Sequence, residues 1–231
     1  MRASSSGLEP YPRNGEQKHR NNLAKMKQQL VHNLRNFAAS ALILAAGTVP
    51  VLAAPFRPPS VPLVACDPYF SIWSPGDKLT DVDTTHWTGK PNRLASLVRI
   101  DGKTFRVMGT TPADVPALEQ KSLTVLPTRT IYTFEGAGVA LTLAFMTAAL
   151  PDDIDILARP VTYLTYEFRA SDGKTHDVAF YFDASAELTV NEPRQEAICS
   201  MLPPKGGLTV LRVGSKDQPI LAKKGDDLRI D

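Results

Sequence analysis

Beyond residue 54 the apolar side chains recur at every second position rather than every third or fourth. Val139, Leu141, Leu143 and Phe145 share one side of a run whose other side is Ala140, Thr142, Ala144 and Met146. Period-two alternation of this kind predicts a strand with one buried face. Similar runs rich in aromatic and β-branched residues predict strands over Tyr69–Trp73, Arg93–Ile100, Thr104–Met108, Ser122–Leu126 and Thr128–Phe134. Further strands follow at Val161–Arg169 and Asp177–Ala184, the latter with Val178, Phe180 and Phe182 on one face, and then at Leu188–Val190 and Leu208–Val213.

Turn chemistry separates these runs. Asp101-Gly102 predicts a tight type I′ hairpin, because both central positions of that turn need positive φ. Glu135–Gly138, Ser171-Asp172-Gly173 and Gly206-Gly207 mark other turns. His176, just past one of them, is expected to be exposed. Ala54–Pro62 is proline-rich and extended, and Leu79–Lys90 is polar, without a period, and reads as a loop. Pro151–Leu157 reads as a single helical turn or a loop. Sixteen prolines follow residue 53, which argues against long helices there. Many short strands with turn signals between them predict a mainly β protein, an antiparallel β-sandwich. Lys223–Asp231 begins what reads as another strand and then stops, so the sandwich is expected to be incomplete at its C-terminus.

The front of the chain has a different grammar. Residues 1–36 are polar and basic, Phe37–Leu52 is an apolar run, and Ala53-Ala54-Pro55 follows. Basic segment, short apolar core and small residues are the three parts of a secretory signal peptide. Residues 1–53 are therefore read as a leader helix, starting at Met26, with cleavage before Ala54 and export to the periplasm or the medium. A spanning helix needs about 20 apolar residues; this run is shorter and is broken by Gly47 and Pro50. No stable membrane span is expected once the leader is removed. Leu63-Val64-Ala65-Cys66 has the form of a lipoprotein box but stands too far from the apolar run to serve as one.

Charge sharpens this division. Of the 26 basic and 24 acidic residues, seven and two fall within residues 1–53, leaving 19 against 22 and a net of −3 for the remainder. A nucleic-acid binder keeps a basic face on its folded part, and none is visible here. The two cysteines, Cys66 and Cys199, could pair in an oxidising compartment. Nothing in the sequence brings them together, and a buried free thiol is equally compatible.

Few residues suggest chemistry. Asp81, Asp83 and His86, with Trp87 beside them, are the candidates for a functional loop. They could ligate a metal, or Asp83 could orient His86 for proton transfer. The preferred reading is plainer: Asp and Thr cap turns while His86–Trp87 packs the loop down. Two carboxylates and one histidine fall short of a zinc or calcium signature. Asp152, Asp153 and Asp155 could act as acid and base or hold calcium, but such a run more simply starts a solvated helix. Tyr69, Phe70, Trp73 and Trp87 could stack on a sugar, although aromatics mostly build core. No catalytic, cofactor-binding or metal residue is assigned.

Asp-Pro-Tyr-Phe-Ser-Ile-Trp-Ser at 67–74 and Thr-Asp-Val-Asp-Thr-Thr-His-Trp-Thr-Gly-Lys at 80–90, together with Leu97–Gly109, Arg159–Val190 and Lys223–Asp231, resemble the glutaminase A family of secreted proteins. The resemblance covers most of residues 56–231. It implies an N-terminal module over 54–115 and part of a β-sandwich over 116–231. It also implies a C-terminal helical toroid as partner domain, for which this chain has no sequence. The activity it implies for the whole protein is hydrolysis of L-glutamine to glutamate and ammonia. Because catalysis is expected to need the toroid, this chain is read as the non-catalytic portion, inactive alone and without a cofactor. The alternative is a carbohydrate-binding or accessory sandwich of a glycoside hydrolase-like protein.

Overall fold

The computed structural model describes residues 25–33 and 57–218. The chain divides into two units, Met1–Ala54 and Pro55–Asp231. In the first, residues 25–33 form a helix, α1, exposed along its length. The apolar run Phe37–Leu52 and the expected strand at Lys223–Asp231 lie outside the described residues. Among those described, no helix is long and apolar enough to cross a membrane.

The second unit is mainly β and antiparallel. Its strands are β1 (Val61–Ala65), β2 (Ser71–Ser74), β3 (Leu94–Ile100), β4 (Lys103–Met108), β5 (Glu119–Leu126), β6 (Arg129–Gly136), β7 (Val139–Thr147), β8 (Thr162–Ala170), β9 (Val178–Ala184), β10 (Ala197–Lys205) and β11 (Leu208–Ser215). One sheet has the order β5-β6-β7-β8 and a second β4-β3-β9, while β1-β2 and β10-β11 are two-stranded ribbons. Asp101 and Gly102 both take positive φ, 49° and 81°, at the tip joining β3 to β4, as the Asp-Gly pair predicts.

The β7 stripe is the spine of the core. Val139, Leu141, Leu143 and Phe145 are buried, and Tyr132 and Phe134 from β6 lie beside them. The rings of Tyr132 and Phe145 meet edge to face at 6.4 Å, a favoured aromatic geometry. Leu94, Val98 and Ile100 of β3 join the same cluster from the second sheet, and Val61, Leu63 and Val64 of β1 join it from the β1-β2 ribbon. Leu63-Val64-Ala65-Cys66 is thus a core strand and the half-buried residue after it, with Cys66 Sγ 3.6 Å from Thr162 Oγ1. Both cysteines are free thiols, and Cys199 is exposed.

One local expectation needs correction, and two strands go beyond what the sequence predicts. Leu188–Val190 is not a strand: Ala186–Thr189 forms a 3-10 turn, with the Ser185 side chain accepting from the Glu187 amide. Ser at a cap offers the backbone a local partner that competes with pairing to a neighbouring strand. The extended, proline-rich segment yields a strand at its end, since Pro62 pairs with Trp73 beside a register shift in β1; proline is tolerated at such irregularities. A strand without a clear alternating signal, β10, runs through Pro203-Pro204 to the Gly206-Gly207 turn and pairs with β11. The helical turn falls at α2 (Ile154–Leu157), capped by Asp153, whose Oδ1 accepts from the Ile156 amide at 3.0 Å.

Candidate functional site

The candidate loop lies between β2 and β3 and is tied down at both ends. Trp73 and Thr85 exchange backbone hydrogen bonds of 2.7 and 2.9 Å. Thr84 Oγ1 donates to the Asn92 carbonyl at 2.7 Å and accepts from the Leu94 amide at 2.8 Å. A hydroxyl that both donates and accepts is satisfied without water, and Thr84 is fully buried. The Asn92 amide group donates to the Ser71 carbonyl at 3.3 Å, joining the loop to β2.

Within this frame each candidate has a defined place. Asp81 Oδ2 accepts from the Lys78 amide at 2.9 Å, closing the turn before it. Asp83 Oδ1 accepts from both the amide and the hydroxyl of Thr110, at 3.0 and 2.6 Å. Its other oxygen lies 3.2 Å from Arg93 Nε, and Arg93 Nη1 reaches Glu187 at 2.8 Å. Partial burial pushes the Asp83 carboxyl up, but the Thr110 hydrogen bonds and the Arg93 guanidinium outweigh it and hold the group below its usual value. His86 is 1% exposed. Its Nε2 lies 2.9 Å from the Pro68 carbonyl and its Nδ1 2.9 Å from Thr88 Oγ1. A carbonyl can only accept, so Nε2 carries a proton, and Nδ1 also lies 3.4 Å from the Thr88 amide, which donates to it. Trp87 is 51% exposed, yet its Nε1 donates to the same Pro68 carbonyl at 2.8 Å.

Pro68 is thus the hub of the loop, held in turn by Asp67, whose Oδ1 accepts from the amides of Tyr69 and Phe70 at 2.7 and 2.8 Å. The two strings 67–74 and 80–90 lock together through one backbone carbonyl. Spacing along the chain does not reveal this, because the contact joins residues 18 and 19 positions apart. Among the described residues, no group of three or more His, Cys, Asp and Glu side chains is placed to hold a metal ion. Of the four aromatics, Tyr69 and Trp87 are exposed while Phe70 and Trp73 are half-buried.

Replacing His86 with Ala is expected to destabilise the fold by about 2–3 kcal/mol, through lost hydrogen bonds and a void. The measure is the urea midpoint at unchanged slope. A change under about 0.5 kcal/mol, the range of ordinary surface substitutions, would deny His86 its anchoring role.

The expectation that His176 is exposed is overturned. Its side chain is 9% exposed and lies between Asp101 and Asp172. The turn after β8 folds it back onto the β3–β4 tip, an event invisible to local reading.

Comparison with known proteins gives three findings. Residues 44–119 match a family described as Domain of unknown function (DUF4964), and residues 128–231 match Domain of unknown function (DUF5127). Over 158 residues, 65% of this chain, the sequence is 30% identical to Glutaminase A of Aspergillus oryzae, of which it covers 23%. No solved structure matches. The chain is a distant relative of that glutaminase and spans less than a quarter of its length.

Proposed function

We propose that this chain is the β-sandwich portion of an exported, glutaminase-A-like amidohydrolase, and that it shapes and supports a catalytic domain rather than carrying the catalytic groups. The likeness to Glutaminase A of Aspergillus oryzae supplies the reaction class. The observation that carries the structural role is an open seam between the two sheets. β8 and β9 are the outer strands of their sheets. Phe180 pairs with Val98, and Phe182 with Ser96; both partners on β3 are buried. Directly opposed residues lie on one face of a sheet, so these rings face the interior. Even so, Phe180 remains 55% exposed. Interior-facing aromatics that stay wet mark a surface built to be covered. The helical toroid implied by the family likeness is the proposed cover.

Ammonia release from L-glutamine tests the reading. The purified 231-residue chain is expected to release none above a buffer blank. A chimera, in which it replaces the matched region of the Aspergillus oryzae protein, is expected to release ammonia. Robust turnover by the isolated chain would overturn the supporting role; a folded but inactive chimera would overturn the reaction class. The alternative, a glycan-stacking module, rests on exposed Tyr69 and Trp87. It predicts glycan-array binding that Trp87→Ala abolishes.

A further inference from the structure

One end of the sandwich is closed by an arrangement the proposed function does not use. His176 Nδ1 lies 2.7 Å from Asp101 Oδ2, and His176 Nε2 lies 2.9 Å from Asp172 Oδ1. Asp101 sits at the tip between β3 and β4, in one sheet. Asp172 sits in the turn leaving β8, the edge of the other sheet. The imidazole therefore bridges the two layers. Each carboxylate is itself held: Asp101 Oδ1 accepts from the Asp177 amide at 2.9 Å, and Asp172 Oδ1 from the Lys174 amide at 2.9 Å. A third turn backs the group. Gly138, between β6 and β7, has φ of 78°, and its carbonyl accepts from the Ser171 amide at 2.8 Å. A Cβ there would stand 2.6 Å from Asp172 Oδ2 and 2.7 Å from the imidazole.

Elementary chemistry decides the charge state this geometry needs. A carboxylate accepts and does not donate, so both ring nitrogens must carry protons to satisfy two of them. Only the imidazolium does so. A neutral ring has one N–H, and its bare nitrogen would then face a carboxylate, lone pair to lone pair. The charged groups around the ring are Asp101 from the β3–β4 tip and Asp172 with Lys174 from the β8–β9 turn; Lys174 Nζ is 3.9 Å from Asp172 Oδ2. The β6–β7 turn contributes the uncharged Gly138. We propose that Asp101, His176 and Asp172 form a proton-operated clasp, shut when His176 is an imidazolium, that pins the β3–β4, β6–β7 and β8–β9 turns together and slackens when the ring loses a proton.

The direction of titration agrees. Hydrogen bonds to Asp172, then to Asp101, hold the His176 imidazole above its ordinary value of 6.5. Both carboxyls are held below theirs, Asp101 chiefly by His176 and the Asp177 amide, Asp172 chiefly by His176 and the Lys174 amide. For a histidine raised on folding, the stabilisation is complete below the unfolded pKa of about 6.5 and is lost as pH rises through the folded one. For the two lowered carboxyls it is complete above about 3.9 and lost as pH falls through their folded values. The clasp is therefore tightest in mildly acidic solution.

Two measurements on the full 231-residue chain test this. The first follows the imidazole proton resonances by NMR, His176 being assigned by its disappearance in His176→Gln. Its midpoint is expected above 6.5 and is expected to fall in Asp101→Asn and in Asp172→Asn. A midpoint at or below 6.5 in the unsubstituted protein would overturn the clasp, and that result needs no variant beyond the one used for assignment. The second compares melting temperatures of the parent and His176→Gln across pH. The parent's advantage is expected at pH 5.5 and should shrink toward zero at pH 9. A difference that does not change with pH would mean that His176 merely fills space.

Discussion

Truncating Phe145 to alanine is expected to cost about 3–5 kcal/mol, the range for a large aromatic removed from a packed core. Phe145 stands on β7, opposite Thr130 of β6 on one side and Leu164 of β8 on the other. It is 1% exposed and meets Tyr132 edge to face. The strands on both sides hold the backbone, so it cannot collapse into the void. Domains are stable by only about 5–15 kcal/mol, so this one change removes a large share of the reserve. The matched control is Thr165→Ala: Thr165 is exposed on the outer face of β8, and the expected cost is within about 0.5 kcal/mol. Urea melts read both, with a lower midpoint at unchanged slope signalling lost stability rather than a changed denatured state. A loss below about 1 kcal/mol for Phe145→Ala would show that the β7 stripe is not the spine of the core.

Rules that act between sequence neighbours made much of the fold legible. The Val139–Phe145 alternation and the Asp101-Gly102 tip depend on residues one or two positions apart, and both stand as expected. Where local cues conflicted with distant pairing, the reading failed. Pro203 and Pro204 argue against a strand, yet β10 continues past them to Lys205, because its register with β11 shifts between Leu202 and Lys205 and leaves both prolines out of the ladder. Leu188–Val190 has strand-like residues, but Ser185 caps a turn there and Glu187 within it is held by Arg93, 94 positions earlier. The candidate loop divides the same way. That Asp81 ends a turn is a local fact and legible. That His86 and Trp87 share the carbonyl of Pro68 is not, because a backbone acceptor has no sequence signature. His176 is the clearest case: one of its two carboxylates, Asp101, lies 75 residues away.

The 231-residue chain is expected to self-associate at micromolar concentration, and Phe180→Lys is expected to weaken that association at least roughly tenfold, about 1.4 kcal/mol. An outer strand offers unpaired backbone groups to any other chain, and here two outer strands flank an apolar cleft. Phe180 stacks on Tyr166 at 4.5 Å and lies 5.9 Å from Phe168, so β8 and β9 present a continuous aromatic lip. Behind it a cleft of about 290 Å³ is lined by Val64, Phe70, Ile72, Leu164, Phe182 and Leu188. A lysine at 180 keeps its stem on Tyr166 while its ammonium stays in water. It adds the like-charge repulsion that natural edges use against pairing. The fold itself should lose only the stacking contribution, about 0.5–1.5 kcal/mol. The β10–β11 ribbon is the competing source of stickiness, since Met201 and its cross-strand partner Leu211 are both exposed. Sedimentation equilibrium on Phe180→Lys and, separately, on Met201→Glu with Leu211→Lys distinguishes them. Relief by the first variant alone locates the sticky surface at the seam, the same surface the toroid would cover. Relief by the second alone moves it to the ribbon and removes the main structural support for a covering domain at β8 and β9. A parent chain that is monomeric at these concentrations would mean that the exposed lip is tolerated in water and needs no cover.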